Sequence, residues 1–396
     1  METINKNSKN SSSPVQGPVK GFKDKIGKDA EKAALIREIT RQTFEKYNFQ
    51  EAETPIIEYE EFVKGENSND EAVSDIFKLQ DKGKRNLALR YEFTFQLKRI
   101  AKNQKLPFKR FQIGPVFRDE PVSGNRLRQL TQCDIDTIGA TIKDQAEILA
   151  ATKEVLDALK IPSIIYVNNI TLLNEILEEQ KIPENKRQEV IREIDKLDKL
   201  PIAEVKKNLK ELKADQIMDL FAKPLDYFKK YPSYAKIQEL KDFCKNYGFE
   251  IKFLPSLSRG LSYYTGNVWE IKSSIKETIC GGGTYMVENN VSTGISFSIE
   301  RLMAVSNILI NIDRILVVSL DQDKKAIELA KKLRAQKKNA SVFFGKPNKA
   351  MEYANSYGIK NIIFVGKKEI QQKKFMIKDL KTGKQKTLII TKVSKS

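Results

Sequence analysis

The chain has 396 residues, 40% hydrophobic and 31% charged, a composition that excludes a disordered chain and is long enough for two buried cores. Lys plus Arg number 70 against 52 Asp plus Glu; the net charge of +18 suits a polyanionic partner, and no apolar run reaches the roughly 20 residues of a membrane span. Histidine is absent, which excludes every mechanism built on a histidine base, triad or metal ligand. In chain order, residues 1–20 are polar without an apolar core segment and read as a flexible tail, not a secretory signal. Lys28 to Tyr47 carries Ala33, Leu35, Ile36, Ile39 and Phe44 at helical spacing and predicts an amphipathic helix. Phe49 to Ile57, Leu87 to Leu89 and Phe111 to Phe117 read as strands, Gln145 to Leu159 as a helix, and Ile161 to Val167 as a β-branched strand. Residues 170–225 are rich in Leu, Lys and Glu, almost without glycine, and read as a helical insertion. Strand character returns at 251–254 and 267–271, Gly281 to Gly283 marks a turn, and Val291 to Val305 reads as a strand entering a helix.

From Asp313 onward strands and helices alternate, which predicts a small α/β domain with a mainly parallel sheet. The first 310 residues instead suggest an α+β domain with a largely antiparallel sheet. Charge is uneven. Asp313 to Ser396 holds 21 Lys or Arg against 7 Asp or Glu, so 21 − 7 = +14 of the excess lies in this one small region, a stronger nucleic-acid signal than a basic average. Cys133, Cys244 and Cys280 are spaced too widely for a zinc pattern or a disulfide framework, and a reducing cytoplasm is the default setting.

Four segments place polar groups where a strand would otherwise be apolar. Leu89-Arg90-Tyr91-Glu92-Phe93-Thr94 reads on its own as a surface strand edge. Phe117-Arg118-Asp119-Glu120, Asn125-Arg126-Leu127-Arg128 and Gln132-Cys133-Asp134-Ile135-Asp136 form the two arms of a hairpin. Gln132, Asp134 and Asp136 alternate and so share one face, where burial is costly unless a ligand or partner pairs with them. Arg118 and Arg126 sit where they can meet phosphate oxygens bidentately. Arg259-Gly260-Leu261-Ser262-Tyr263-Tyr264-Thr265-Gly266 suggests backbone close to a ligand. Gly281-Gly282-Gly283-Thr284-Tyr285 and Gly294 to Leu302 complete the set, with Arg301 near a helix start.

In this order the segments resemble a class II aminoacyl-tRNA synthetase of the histidine-specific family, from about Gly21 to Leu388. Phe49 to Glu58 with Pro55 resembles motif 1, which builds a homodimer interface. Phe117 to Gln132 resembles motif 2 and Gly294 to Leu302 motif 3. Arg259-Gly260-Leu261 with Tyr263-Tyr264-Thr265-Gly266 resembles the more specific histidine signature. Leu89 to Glu92, Gln132 to Asp136 and Ile194 to Leu200 resemble the archaeal and eukaryotic branch, and Arg314 to Leu388 the anticodon-binding domain. The layout implied is a tail at 1–20, a catalytic domain at 21–312 with a helical insertion at about 170–230, and an anticodon-binding domain at 313–396.

The resemblance also implies roles. Arg118 and Arg259 would flank the α-phosphate of ATP as the catalytic pair. Glu120 would lie beside adenine, and Arg126 and Arg301 would hold the phosphates. Glu92, Thr94 and Gln132 would hold the histidine α-amino group. Asp136 and Tyr264 would pair with the imidazole, with Tyr263 and Tyr285 lining the same pocket. Magnesium would neutralise the β- and γ-phosphates. L-Histidine, ATP and tRNA(His) would be the partners, the protein a cytoplasmic homodimer with no membrane role, and no protein ligand to a metal is assigned. The family pattern is broken at Ser262, at Thr284, at Leu130 and by the short loop between Tyr285 and Gly294. A non-catalytic, synthetase-like protein that binds histidine as a regulator is the alternative reading.

Overall fold

The structure is a computed structural model that describes residues 17–65, 75–122, 127–198, 200–259, 263–310 and 312–388. The contact pattern divides the chain into two units, one ending at Ile308 and one beginning at Leu309. The strands of the first unit are β1 (Gln50–Glu51), β2 (Ile57–Tyr59), β3 (Lys78–Gln80), β4 (Asn86–Leu89), β5 (Phe108–Phe117), β6 (Gln129–Ile138), β7 (Ile164–Asn169), β8 (Lys252–Phe253), β9 (Tyr264–Lys272), β10 (Cys280–Val287) and β11 (Asn290–Ser298). Eight of them form one sheet in the order β1-β5-β6-β11-β10-β9-β7-β8. Its five inner pairings are antiparallel, and only the edge pairs β1/β5 and β7/β8 are parallel. Strands β2, β4 and β3 make a small second sheet.

Strand alternation decides what each face of the large sheet carries. On β6, Cys133 and Ile135 point into a core shared with Phe111 of β5 and Ile295 and Phe297 of β11. The helices Gly27–Lys46, Ile142–Ala158, Tyr234–Asn246 and Ile299–Val305 contribute Ile36, Phe44, Leu149, Val155, Ile237 and Leu302 to that core. Gln132, Asp134 and Asp136 therefore face the other way. The polar residues of β6 form the floor of a cavity because the apolar set already occupies the helical side.

Between β7 and β8 lie the helices Ile170–Glu179, Glu184–Asp195, Ile202–Glu211, Ile217–Phe221 and Tyr234–Asn246. Asn169 caps the first, its side chain accepting from Thr171 N at 2.8 Å and Leu172 N at 3.3 Å. Leu172, Ile176, Val190, Ile194, Val205 and Leu209 add to the same core, so the helices extend the core of the sheet. The chain is tied down well before the first helix: Gly21 O accepts from Arg128 N at 2.9 Å, and the Phe22 ring lies 6.0 Å from Phe77 and 6.4 Å from Phe117. Residues 1–16 of the expected tail lie outside the described residues.

The second unit holds β12 (Arg314–Ser319), β13 (Asn339–Phe344), β14 (Asn361–Val365), β15 (Met376–Asp379) and β16 (Gln385–Thr387) in the order β13-β12-β14-β15-β16. The expectation of a mainly parallel sheet needs correction. The pairings β12/β13 and β12/β14 are parallel, whereas β14/β15 and β15/β16 are antiparallel. The helices Asp323–Ala335 and Pro347–Ser356 make the first two crossovers. Only the five-residue helix Lys367–Gln371 precedes β15, and parallel return needs a crossover of about a dozen residues or more.

Candidate active site

One cavity of about 320 Å³ opens on the polar face of the large sheet. Eleven of the twelve residues singled out from the sequence line it: Glu92, Thr94, Arg118, Glu120, Gln132, Asp136, Arg259, Tyr263, Tyr264, Tyr285 and Arg301. Arg126 and Ser262 lie outside the described residues. Leu130 also lines the wall.

The arginines are held before any ligand arrives. Arg118, just past the end of β5, donates from Nη2 to Gln132 Oε1 at 3.0 Å and from Nε to Tyr91 O at 3.2 Å. Arg259 Nη1 donates to Glu270 Oε1 at 2.8 Å, and its guanidinium lies 5.9 Å from the Tyr264 ring. Thr278 donates to the other Glu270 oxygen at 2.7 Å and accepts from Arg301 Nη1 at 2.8 Å through its carbonyl. Ser298 caps the helix Ile299–Val305 by accepting from Arg301 N at 3.1 Å, which places Arg301 at the start of that helix. A Cβ on Gly281 would lie 2.3 Å from Arg259 Nη1, so only glycine leaves room for this arginine. Beside these groups Glu300 accepts from Thr131 N at 3.0 Å and pairs with Lys25.

Acidic groups and phenols make up another part of the wall. Tyr285 OH donates to Asp136 Oδ1 at 2.5 Å, and Gln132 Nε2 donates to Asp134 Oδ1 at 2.9 Å. Tyr263 packs its ring 4.7 Å from Tyr264 and 5.7 Å from Tyr285. Burial pushes Glu92 up to about 7; Arg118 opposes this and Asp136 adds to it. Burial, and then the charge of Asp136, push Asp134 above the usual carboxylate range against Arg110, and burial raises Asp136 likewise. Burial and the Asp136 charge keep Tyr285 a neutral donor.

These shifts carry a stability consequence. Asp134 and Glu92 bind their protons more tightly folded than unfolded, so their contribution is fully present below their unfolded values and is lost as pH rises through the folded ones. The ligand-free protein is expected to melt at lower temperature at pH 8 than at pH 5. Asp134→Asn mimics the protonated acid and should raise the melting temperature at pH 8 by about 3 °C more than it does at pH 5. Calorimetry at the two pH values checks this, and an equal effect at both would refute the burial argument.

Other residues were read differently from their place in the structure or carried no sequence signal. Arg90 is not on a surface strand edge: it is 3% exposed and donates to Pro115 O at 2.8 Å and Thr54 O at 2.6 Å, with Phe93 under its guanidinium. Gly114 makes this possible, since a Cβ there would meet Arg90 Nη2 at 2.7 Å. Glu270 stood in the strand expected at 267–271, and Arg110 just before the one expected at Phe111 to Phe117. The three cysteines are free and buried.

A histidyl-tRNA synthetase family model matches residues 21–302, and an anticodon binding domain model matches residues 314–396. The chain belongs to the histidyl-tRNA synthetase family. Histidine–tRNA ligase 1 of Bacillus cereus is 30% identical over 408 residues, which cover 93% of this chain and 94% of that protein. The crystal structure of histidyl-tRNA synthetase from Nostoc sp. PCC 7120 shares the fold, with a TM-score of 0.81 at 24% identity over 96% of this chain and 97% of that one. An ATP phosphoribosyltransferase regulatory subunit/histidyl-tRNA synthetase from Bacillus halodurans shares it too, with a TM-score of 0.75 at 20% identity over 89% of this chain and 99% of that one. The architecture is thus that of a histidyl-tRNA synthetase: an α+β unit on a mainly antiparallel sheet with a helical insertion, followed by an α/β anticodon-binding unit.

Proposed function

We propose that this chain is a histidine–tRNA ligase that activates L-histidine with ATP and transfers it to tRNA(His). The observation that carries the reading is the single cavity that gathers Arg118, Arg259 and Arg301 with Glu92, Asp136 and Tyr285. Cationic groups suit a polyphosphate, and the carboxylates suit an ammonium and an imidazole N–H. In the first step a histidine carboxylate oxygen attacks the α-phosphorus and pyrophosphate leaves, which forms histidyl-adenylate. The substrate is its own nucleophile, so positioning replaces a general base, consistent with a chain that lacks histidine. Arg118 and Arg259 stabilise charge growing on the α-phosphate. Arg301 and Arg126 hold the remaining phosphates, and Glu120 sits on the adenine side. Glu92, Thr94 and Gln132 hold the α-amino group. Asp136, Tyr264, Tyr263 and Tyr285 form the side-chain pocket, where an amino acid without an imidazole N–H leaves the buried Asp136 carboxylate short of that donor. Magnesium, bound with the nucleotide, would neutralise charge on the β- and γ-phosphates beside Arg301. In the second step a terminal ribose hydroxyl of the tRNA attacks the acyl carbon and AMP leaves.

The second unit supports an RNA partner. Beyond its charge, it exposes Tyr353 and Tyr357, 40% and 63% accessible, with rings 4.6 Å apart, a surface on which unpaired bases can stack. The exposed Ile56, Ile57 and Tyr59 in and beside the motif 1 segment offer apolar surface for a second copy of the chain. A cytoplasmic setting is part of the same reading; no described helix is long and apolar enough to cross a membrane.

The test is exchange of labelled pyrophosphate into ATP with each amino acid in turn. Histidine alone is expected to support exchange. A histidine-binding regulator, the alternative reading, would bind histidine without exchange; the anticodon-binding unit and the three arginines favour the ligase.

A further inference from the structure

Beside the cavity floor sits a buried cation that does not line the cavity. Arg110 on β5 stands directly opposite Asp136 on β6 and is 0% exposed. Its Nη2 lies 3.0 Å from Asp136 Oδ2, yet among the described residues none of the three guanidinium nitrogens, nor Asp136 Oδ2, has a hydrogen bond of good geometry. A pair buried in this way gains little stability over apolar residues of similar volume, because desolvation offsets its attraction. Both flanking strand faces are otherwise well supplied with apolar side chains such as Phe111, Ile135 and Ile138. The charge therefore has a use other than holding the strands together.

That use follows from where Asp136 is held. Tyr285 on β10 donates to Oδ1, Arg110 on β5 faces Oδ2, and Gly294 on β11 gives the carboxylate its space, since a Cβ there would lie 1.9 Å from Oδ1. Burial works against the ionised form of Asp136, and the Tyr285 hydrogen bond favours it. Arg110 is the cation whose charge opposes the effect of burial on this carboxylate.

We propose that Arg110 is a positioning residue for substrate recognition, holding the Asp136 carboxylate charged and aimed so that it can accept the imidazole N–H of histidine. The proposal rests on the ligase reading and on Asp136 as the imidazole partner. Arg110 does not touch substrate, and acts only through Asp136. Without it, the buried Asp136 carboxyl takes up a proton more readily, and a protonated carboxyl is a poorer acceptor for the imidazole N–H.

The experiment is histidine-dependent pyrophosphate exchange across pH for the full-length protein, Arg110→Met, Arg110→Lys, Asp136→Asn and the Arg110→Met/Asp136→Asn double variant. Arg110→Met is expected to raise the histidine KM about tenfold at pH 7, leave kcat within about threefold, and move the acid limb of kcat/KM to higher pH by about one unit. Arg110→Lys should recover most of that loss. The double variant should match Asp136→Asn within about twofold, because a residue acting through Asp136 has nothing left to act on. If Arg110→Met does not fold, the double variant, which leaves no unpaired buried carboxylate at 136, and Arg110→Lys make the same comparison. An unchanged KM and acid limb in Arg110→Met would overturn the proposal. So would a double variant weaker than Asp136→Asn by more than about fivefold, or a normal histidine KM in Asp136→Asn itself. Absence of exchange in the unaltered protein would instead defeat the ligase reading, so the two failures are told apart.

Discussion

Replacing Arg259 with alanine is expected to slow histidyl-adenylate formation by about 10²–10³-fold while shifting the histidine KM by less than about threefold. The asymmetry comes from where charge develops. Negative charge on the α-phosphate oxygens grows as pyrophosphate departs, and a donor already fixed in place stabilises that state more than the bound substrates. Arg259 meets this requirement: Glu270 holds its Nη1 at 2.8 Å, Tyr264 lies beside it, and Gly281 leaves it room. Single-turnover measurement of adenylate formation, with KM determined separately, checks the expectation. An unchanged rate would show that the role is misassigned. A rise in KM matching the whole loss would make Arg259 a ground-state binding residue.

Gly294→Ala should damage the same reaction by another route. The residue sits in β11 opposite Asp136, in an ordinary strand, so alanine is no backbone problem. Its Cβ, however, would lie 1.9 Å from Asp136 Oδ1 and 2.7 Å from Cγ. The carboxylate must move, and its contacts with Tyr285 and Arg110 move with it. A displacement on the order of 1 Å in a recognition group costs roughly 100-fold. The histidine KM is expected to rise by about that factor while the KM for ATP stays nearly constant, because the arginines are untouched. Steady-state exchange with each substrate varied in turn measures both. A normal histidine KM would remove Asp136 from the recognition site.

Much of this site was legible before the structure. Gln132, Asp134 and Asp136 alternate with Cys133 and Ile135, and that period alone placed three polar groups on one face. Arg301 read as lying near a helix start, and Ser298 caps that helix. What stayed hidden were residues whose meaning depends on a distant partner. Arg110 lies just before the strand expected at Phe111 to Phe117 and carries no signal until the register of β5 on β6 sets it against Asp136. Arg90 looked like an edge residue because nothing local shows that Thr54 O and Pro115 O close around it. In the second unit, alternation of strands and helices was visible, but the direction of β15 depended on a connection too short to carry a parallel return.

The sequence by itself determined the two-part organisation, the polar and apolar faces of the central strands, the basic character of the second unit and a chemistry without histidine. These follow from composition and from the two- and 3.6-residue periods, which are local properties of the chain. Only the tertiary structure decided that β11 lies between β6 and β10, that Arg259 rests on Glu270, and that Arg110 underlies Asp136. Strand order and register depend on which apolar faces bury together and on contacts between residues far apart in the chain, and no local pattern encodes those distances.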